Sequence, residues 1–165
     1  MLSYIKFLLK STNQHGVHSP FVYALVTRCF YDKKRYEPYG NMNKKQRLLY
    51  RLLKYFRPQS ILEVSETPTL DVFGLAHPIH REVQYSTYDF VYFDRPSLED
   101  FERLLSTVGN DSIWVMGRIY ESEVTQQIWL AIKGKEEVSV TVDTFVYGLV
   151  FFRKEQQKEH FTIRV

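Results

Sequence analysis

The sequence predicts an α/β domain of three layers carrying a helical N-terminal arm. From residue 60 onward, short apolar and aromatic runs alternate with segments of helical period, which implies a parallel sheet with helices on both faces. The last two strand-like runs, 138–143 and 144–153, follow one another directly, so the final pair is expected to be antiparallel. Before residue 59 the chain reads instead as basic and helical, giving one domain over 1–165, with an arm at 1–58 and a core at 59–165. With 165 residues, 44% of them apolar, and a net charge of +3, the chain can bury a sizeable core and is not a disordered tail. No apolar run approaches the roughly 18 residues of a membrane span. Its one cysteine, Cys29, cannot form an internal disulfide and no secretory signal is read, so a reducing cytoplasm is expected.

Each element has its own signal. Residues 2–10 place Ile5, Leu8 and Leu9 on one side and read as a short docked helix rather than a membrane-surface one. Residues 11–18 form a polar loop around Gly16. Ser19-Pro20 supplies an N-cap and a proline at the first helical position, and Val22, Leu25, Val26 and Cys29 mark a helix over 20–31. After a break at Pro38 and Gly40, residues 43–56 form a second helix with Leu48, Leu49, Leu52, Leu53 and Phe56 inside, stopped by Pro58. SILEVS (60–65) predicts a strand, 70–77 a helical turn ended by Pro78, and REVQYS (81–86) a further strand. DFVYFD (89–94) is apolar almost throughout, as in a strand covered on both faces. Ser97 and Asp100 begin a helix bearing Leu98, Phe101, Leu104 and Leu105, with Gly109 expected to close it. DSIWVMG (111–117) predicts a buried strand. The helix over 122–134 is expected to turn Val124, Ile128, Ala131 and Ile132 inward and to stop at Gly134. HFTIRV (160–165) reads as a final edge strand.

Charge is divided unevenly. Residues 1–58 hold 12 Lys and Arg against Asp32 and Glu37, and residues 59–165 hold 10 against 17 acids, so the segments carry +10 and −7. Such a basic segment suits a contact within the chain, a subunit contact or a nucleic-acid partner.

HGVHSPF (15–21), RLLKYFRPQSILEV (51–64), the stretch from DFVYFD to IWLAIKG, and GLVFFRKEQQKEHFTIRV (148–165) together resemble class I S-adenosylmethionine-dependent methyltransferases. In particular they are similar to a group of O-methyltransferase-like proteins of Bacteroidetes. The resemblance covers about residues 4–64 and 88–165 and implies a Rossmann-like methyltransferase sheet, here with fewer strands. It would place cofactor contacts at Glu63, Ser65 and Asp94, near the strand tips.

The departures from that family are specific. Its first strand leads into a loop of the form E-x-G-T-S-x-G around the methionine part of the cofactor, where this chain reads Glu63-Val64-Ser65-Glu66-Thr67-Pro68-Thr69 without a glycine. Only 24 residues, 65–88, separate that strand from DFVYFD. The family's helix–strand–helix–strand–helix route there needs more than about 50. Metal-dependent members carry carboxylates after two strands, whereas here Asp94 faces Gly117-Arg118, a setting for an ion pair; no metal is expected.

The other candidates are sparse. His15 and His18 share one loop and suit acid–base or ligand roles, or side-chain hydrogen bonds that fasten the arm. His77 and His80 straddle Pro78, and Cys29 sits on an apolar stripe as a core thiol. Glu63 ends a strand, where it either meets a ligand or caps the next turn. The sequence assigns no catalytic residue. It leads to a shortened methyltransferase-like protein without activity, needing no cofactor, with a structural or binding role and a homodimeric assembly. A second expectation is an active S-adenosylmethionine-dependent enzyme, which requires a strand-tip cleft of at least about 300 Å³. A third is a nucleic-acid-binding module using residues 28–57.

Overall fold

The computed structural model describes residues 2–165. Among them are five α-helices, α1 (Leu2–Lys10), α2 (Pro20–Leu25), α3 (Lys44–Phe56), α4 (Leu98–Leu104) and α5 (Glu123–Gly134). The strands are β1 (Ile61–Val64), β2 (Ile79–His80), β3 (Tyr88–Phe93), β4 (Val108–Gly117), β5 (Val140–Asp143), β6 (Tyr147–Phe151) and β7 (Glu159–Thr162). They form one mixed sheet in the order β2-β1-β3-β4-β6-β5-β7. β2, β1, β3 and β4 are parallel, β6 runs antiparallel to both neighbours, and β7 pairs parallel with β5.

Side-chain alternation along the strands separates two cores. Phe90, Tyr92, Ile113, Val115, Leu149 and Phe151 pack with α2 and α3, while Val91, Phe93, Trp114, Met116 and Val150 pack with α4 and α5. The apolar run of β3 is therefore covered on both faces, as its composition requires. A register shift between Tyr88 and Phe90 turns Tyr88 into the second core.

The helix starts follow from their caps. The Asn43 side chain accepts from the Gln46 amide at 3.0 Å while the Gln46 side chain accepts from the Asn43 amide at 2.9 Å. Ser19 caps α2, whose apolar stripe is fully buried and whose last turn widens into a π-helix over Val26–Phe30. Arm and tail hold each other. Thr12 donates to the Thr162 carbonyl at 2.8 Å, Ser19 bonds Gln156, and the Phe21 ring lies edge-on to Phe151 at 4.9 Å beneath the Arg153 guanidinium. The two end stretches, around 12–21 and 151–162, thus meet as one clasp. Gly148 of that tail passes under α5, where a Cβ would come within 2.7 Å of the Trp129 ring.

Five local expectations are corrected. REVQYS is not a strand: pairing ends at His80, and 81–87 bend, because the Tyr88 hydroxyl accepts the Gln84 and Tyr85 amides instead of a ladder partner. Gly109 does not close a helix. It lies in β4, where the Ser112 hydroxyl accepts its amide. On α5, Val124 and Ala131 are exposed, and Thr125, Trp129 and Ile132 are buried, because the Trp129 ring claims the space above Gly148. α1 docks through Phe7 rather than through Ile5 and Leu9, since Phe7 enters a cluster with Phe145 and Tyr120. Finally, the His15 and His18 side chains form no hydrogen bonds among the described residues, so Val17, Ser19 and Phe21 fasten the arm.

Candidate functional site at the strand tips

In an open parallel sheet, ligands favour the carboxyl ends of strands where the chain reverses its direction of winding. Here that place is the tip of β1, between β2 and β3. Glu63, Ser65 and Asp94 all line a depression of about 340 Å³ there, together with Arg81, Arg95 and Arg103. The structure thus brings the three strand-tip candidates together. His15 and His18 lie elsewhere, in the exposed loop before α2.

Glu63 is buried, and both of its oxygens are engaged. Oε1 accepts the amides of Thr69 at 2.5 Å and Leu70 at 3.1 Å, and Oε2 pairs with Arg81 at 3.0 Å. Arg81 also reaches Asp71 at 2.7 Å. A glycine-free loop can fold back on β1 because the carboxylate satisfies the opening amides of the 3-10 turn Leu70–Phe73. The Ser65 hydroxyl donates to the Thr67 carbonyl at 2.8 Å within the same loop. Residues 65–87 hold this turn, the two-residue β2 and a series of bends. Of the two roles open to Glu63, it performs the turn-capping one.

Asp94 follows β3, and the loop after β4 comes against it. Gly117 permits that approach, since a Cβ would sit 2.7 Å from the Asp94 carbonyl oxygen. The next residue, Arg118, is left-handed with φ of 52° and places its guanidinium 3.2 Å from Asp94. Arg118 also pairs with Glu121 at 3.3 Å, and Arg95 meets Glu121 at 2.6 Å. Arg95 and then Arg118 hold the Glu121 carboxyl below the usual carboxylate range. The ion pair predicted from Gly117-Arg118 is formed. Among the described residues, no three His, Cys, Asp or Glu side chains are grouped to hold a metal ion.

A second depression, about 590 Å³, opens on the other side of Asp94 and is lined by Tyr92, Tyr147, Arg118 and Lys45. Burial, and then the Asp94 charge, push the Tyr92 hydroxyl up to about 12. It is therefore a neutral hydrogen-bonding group rather than a base near neutrality. Burial likewise raises the Cys29 thiol to about 12, an inert core position.

Arg81 and Asp71 were not among the residues that sequence reasoning selected. Arg81 reaches Glu63 across 18 positions. No local period signals that reach. The twelve cations of residues 1–58 behave differently. Every ion pair among the described residues joins side chains between Glu63 and Glu155, and none involves the basic segment. No helix is long and apolar enough to cross a membrane among the described residues. In comparisons with known proteins, the chain matches no family model and no curated protein.

Proposed function

We propose that this chain is a shortened class I methyltransferase-like protein whose strand-tip site no longer serves S-adenosylmethionine, and that its role is structural or binding. Two strand–helix units followed by an antiparallel pair support the fold reading, as do the end stretches that meet in the clasp. One observation carries the loss of activity. The Glu63 carboxylate, which would face a cofactor, is consumed by the Thr69 and Leu70 amides and by Arg81. The loop around it carries side chains and Pro68 where bare backbone would have to approach the ligand. Glu66 adds a further negative charge at a position that would meet the cofactor's own carboxylate. The residues present do not fit the cofactor. We also propose that two copies associate, which the exposed Ile5 and Leu9 on α1 and Val124 and Leu130 on α5 support. Sedimentation velocity is expected to give a dimer that Leu9→Glu dissociates, and a monomeric wild type would remove that part of the proposal.

The second reading, an active enzyme, is favoured by the size of the depression. Its volume of about 340 Å³ meets the minimum of about 300 Å³ for a ligand site. Calorimetric titration with S-adenosylmethionine and S-adenosylhomocysteine separates the two. The inactive reading predicts no saturable heat from either ligand, and micromolar binding of either supports the enzyme.

A further inference from the structure

We propose that the basic segment is a docking surface for single-stranded nucleic acid, centred on the groove between α3 and the chain around Tyr36. This goes beyond the reading of the strand tips and does not depend on it, because the groove shares no lining residue with the depression at Glu63.

Residues 28–57 hold ten Lys and Arg against Asp32 and Glu37, a net of +8. A basic segment on an acidic body would ordinarily neutralise itself against that body, but here no such ion pair forms among the described residues. Asp32 is engaged locally, accepting the Tyr36 hydroxyl at 3.0 Å and the Lys34 amide at 2.9 Å. Arg47 donates to the Met42 and Tyr39 carbonyls, and Arg51 to the Asp32 carbonyl, so these two are structural. Lys33, Lys34, Arg35, Lys44, Lys54 and Arg57 are left exposed. Such a field draws a polyanion and gains affinity by releasing its counterions.

The shape narrows the class of polyanion. A groove of about 780 Å³ has Lys34, Lys54 and Arg57 on its walls, with Tyr36, Tyr50 and Phe73 among its lining. Cations rest over tyrosine rings, Lys34 on Tyr36 at 5.2 Å and Lys54 on Tyr50 at 5.4 Å. In each pair the ammonium lies over the ring, so a phosphate that draws Lys34 off the half-buried Tyr36 uncovers an aromatic face for the unstacked base attached to it. Buried Tyr50 instead holds its lysine at the groove and offers no such face. A duplex keeps its bases inside and would reach only the rim charges. An anionic bilayer is flat and would meet only the rim charges, because these rings are recessed. α3 is about 20 Å long, enough for a few nucleotides.

Fluorescence anisotropy of the full chain with labelled oligothymidylate and oligouridylate, each about 12 nucleotides long, tests this. Matched duplex DNA and a sulfated polysaccharide serve as competitors. Engagement of about five phosphates predicts a slope of about −3.5 in log K against log salt. The combined variant Lys34→Glu, Lys54→Glu, Arg57→Glu is expected to lose at least about tenfold in affinity. Its neutral counterpart, Lys34→Gln, Lys54→Gln, Arg57→Gln, should flatten the slope by about 2, and circular dichroism should show both folded. Tyr36→Leu, which keeps every charge, should weaken binding about fivefold or more, and Lys154→Glu in the tail should change nothing. No binding at low salt, equal affinity for duplex or polysaccharide, or a folded neutral variant that binds like the wild type would each overturn the proposal.

Discussion

The strand tips and the basic segment use charge in opposite ways. At the tips, Glu63, Arg81 and Asp71 close one network, and Asp94, Arg118, Glu121 and Arg95 close another. In the segment, twelve cations form no ion pair among the described residues. Charges that satisfy one another support a local fold and leave little for a ligand. Charges left exposed add nothing to the fold, and a partner can use them. In this chain the charges at the place where an α/β sheet usually binds are paired with one another, and the unpaired ones lie toward the other end of β1.

That contrast predicts unequal costs of substitution. Glu63→Ala leaves two buried amides without their acceptor and removes one of the two carboxylates that hold Arg81, and should cost about 3 kcal/mol in urea unfolding. Arg81→Leu keeps the amide bonds to Oε1 but leaves Oε2 of the buried Glu63 carboxylate without its partner, so a smaller but clear loss is expected. Equal losses for the two variants would mean that the amide bonds contribute nothing and that only the ion pair holds the loop.

Acid should act on the body and spare the segment. Glu121 and Glu155 both have depressed carboxyl values, Glu121 through Arg95 and Glu155 through hydrogen bonds from backbone, Asn110 and Arg153. A carboxyl depressed by folding stabilises the fold above its unfolded value and loses that contribution as pH falls. For Glu155 the window runs from the ordinary value near 4.5 down to about 2. Thermal scans should show Tm falling across it, with a shallower fall in Glu155→Gln; an unchanged profile in that variant would remove the carboxylate's assigned role. The smallest effect belongs to Lys54→Glu, expected within about 0.5 kcal/mol of wild type in the same urea assay. A larger loss would show that the segment's charges support the fold after all.

What the sequence disclosed follows the same division. Local signals were sufficient for α3, through Asn43, Gln46 and the leucine stripe, and for β3, through its unbroken apolar run. They located the strand tips, where the resemblance implied Glu63, Ser65 and Asp94 and where all three line one depression. They were silent on features made by contact. Arg81 finds Glu63 only after 65–80 have folded back, and α5 takes its inner face from Trp129 over Gly148 rather than from its apolar spacing. Charge composition showed that the segment was basic, and only the folded arrangement shows that its cations form no ion pair among the described residues.

The measurement closest to the central claim is an amide chemical-shift titration of the isotopically labelled chain with S-adenosylhomocysteine. If the strand tips are closed by their own side chains, the amides of Glu63 to Leu70 and of Asp94 should not move at millimolar ligand. Saturable shifts at those amides would contradict the account and restore the depression beside Glu63 as a working cofactor site.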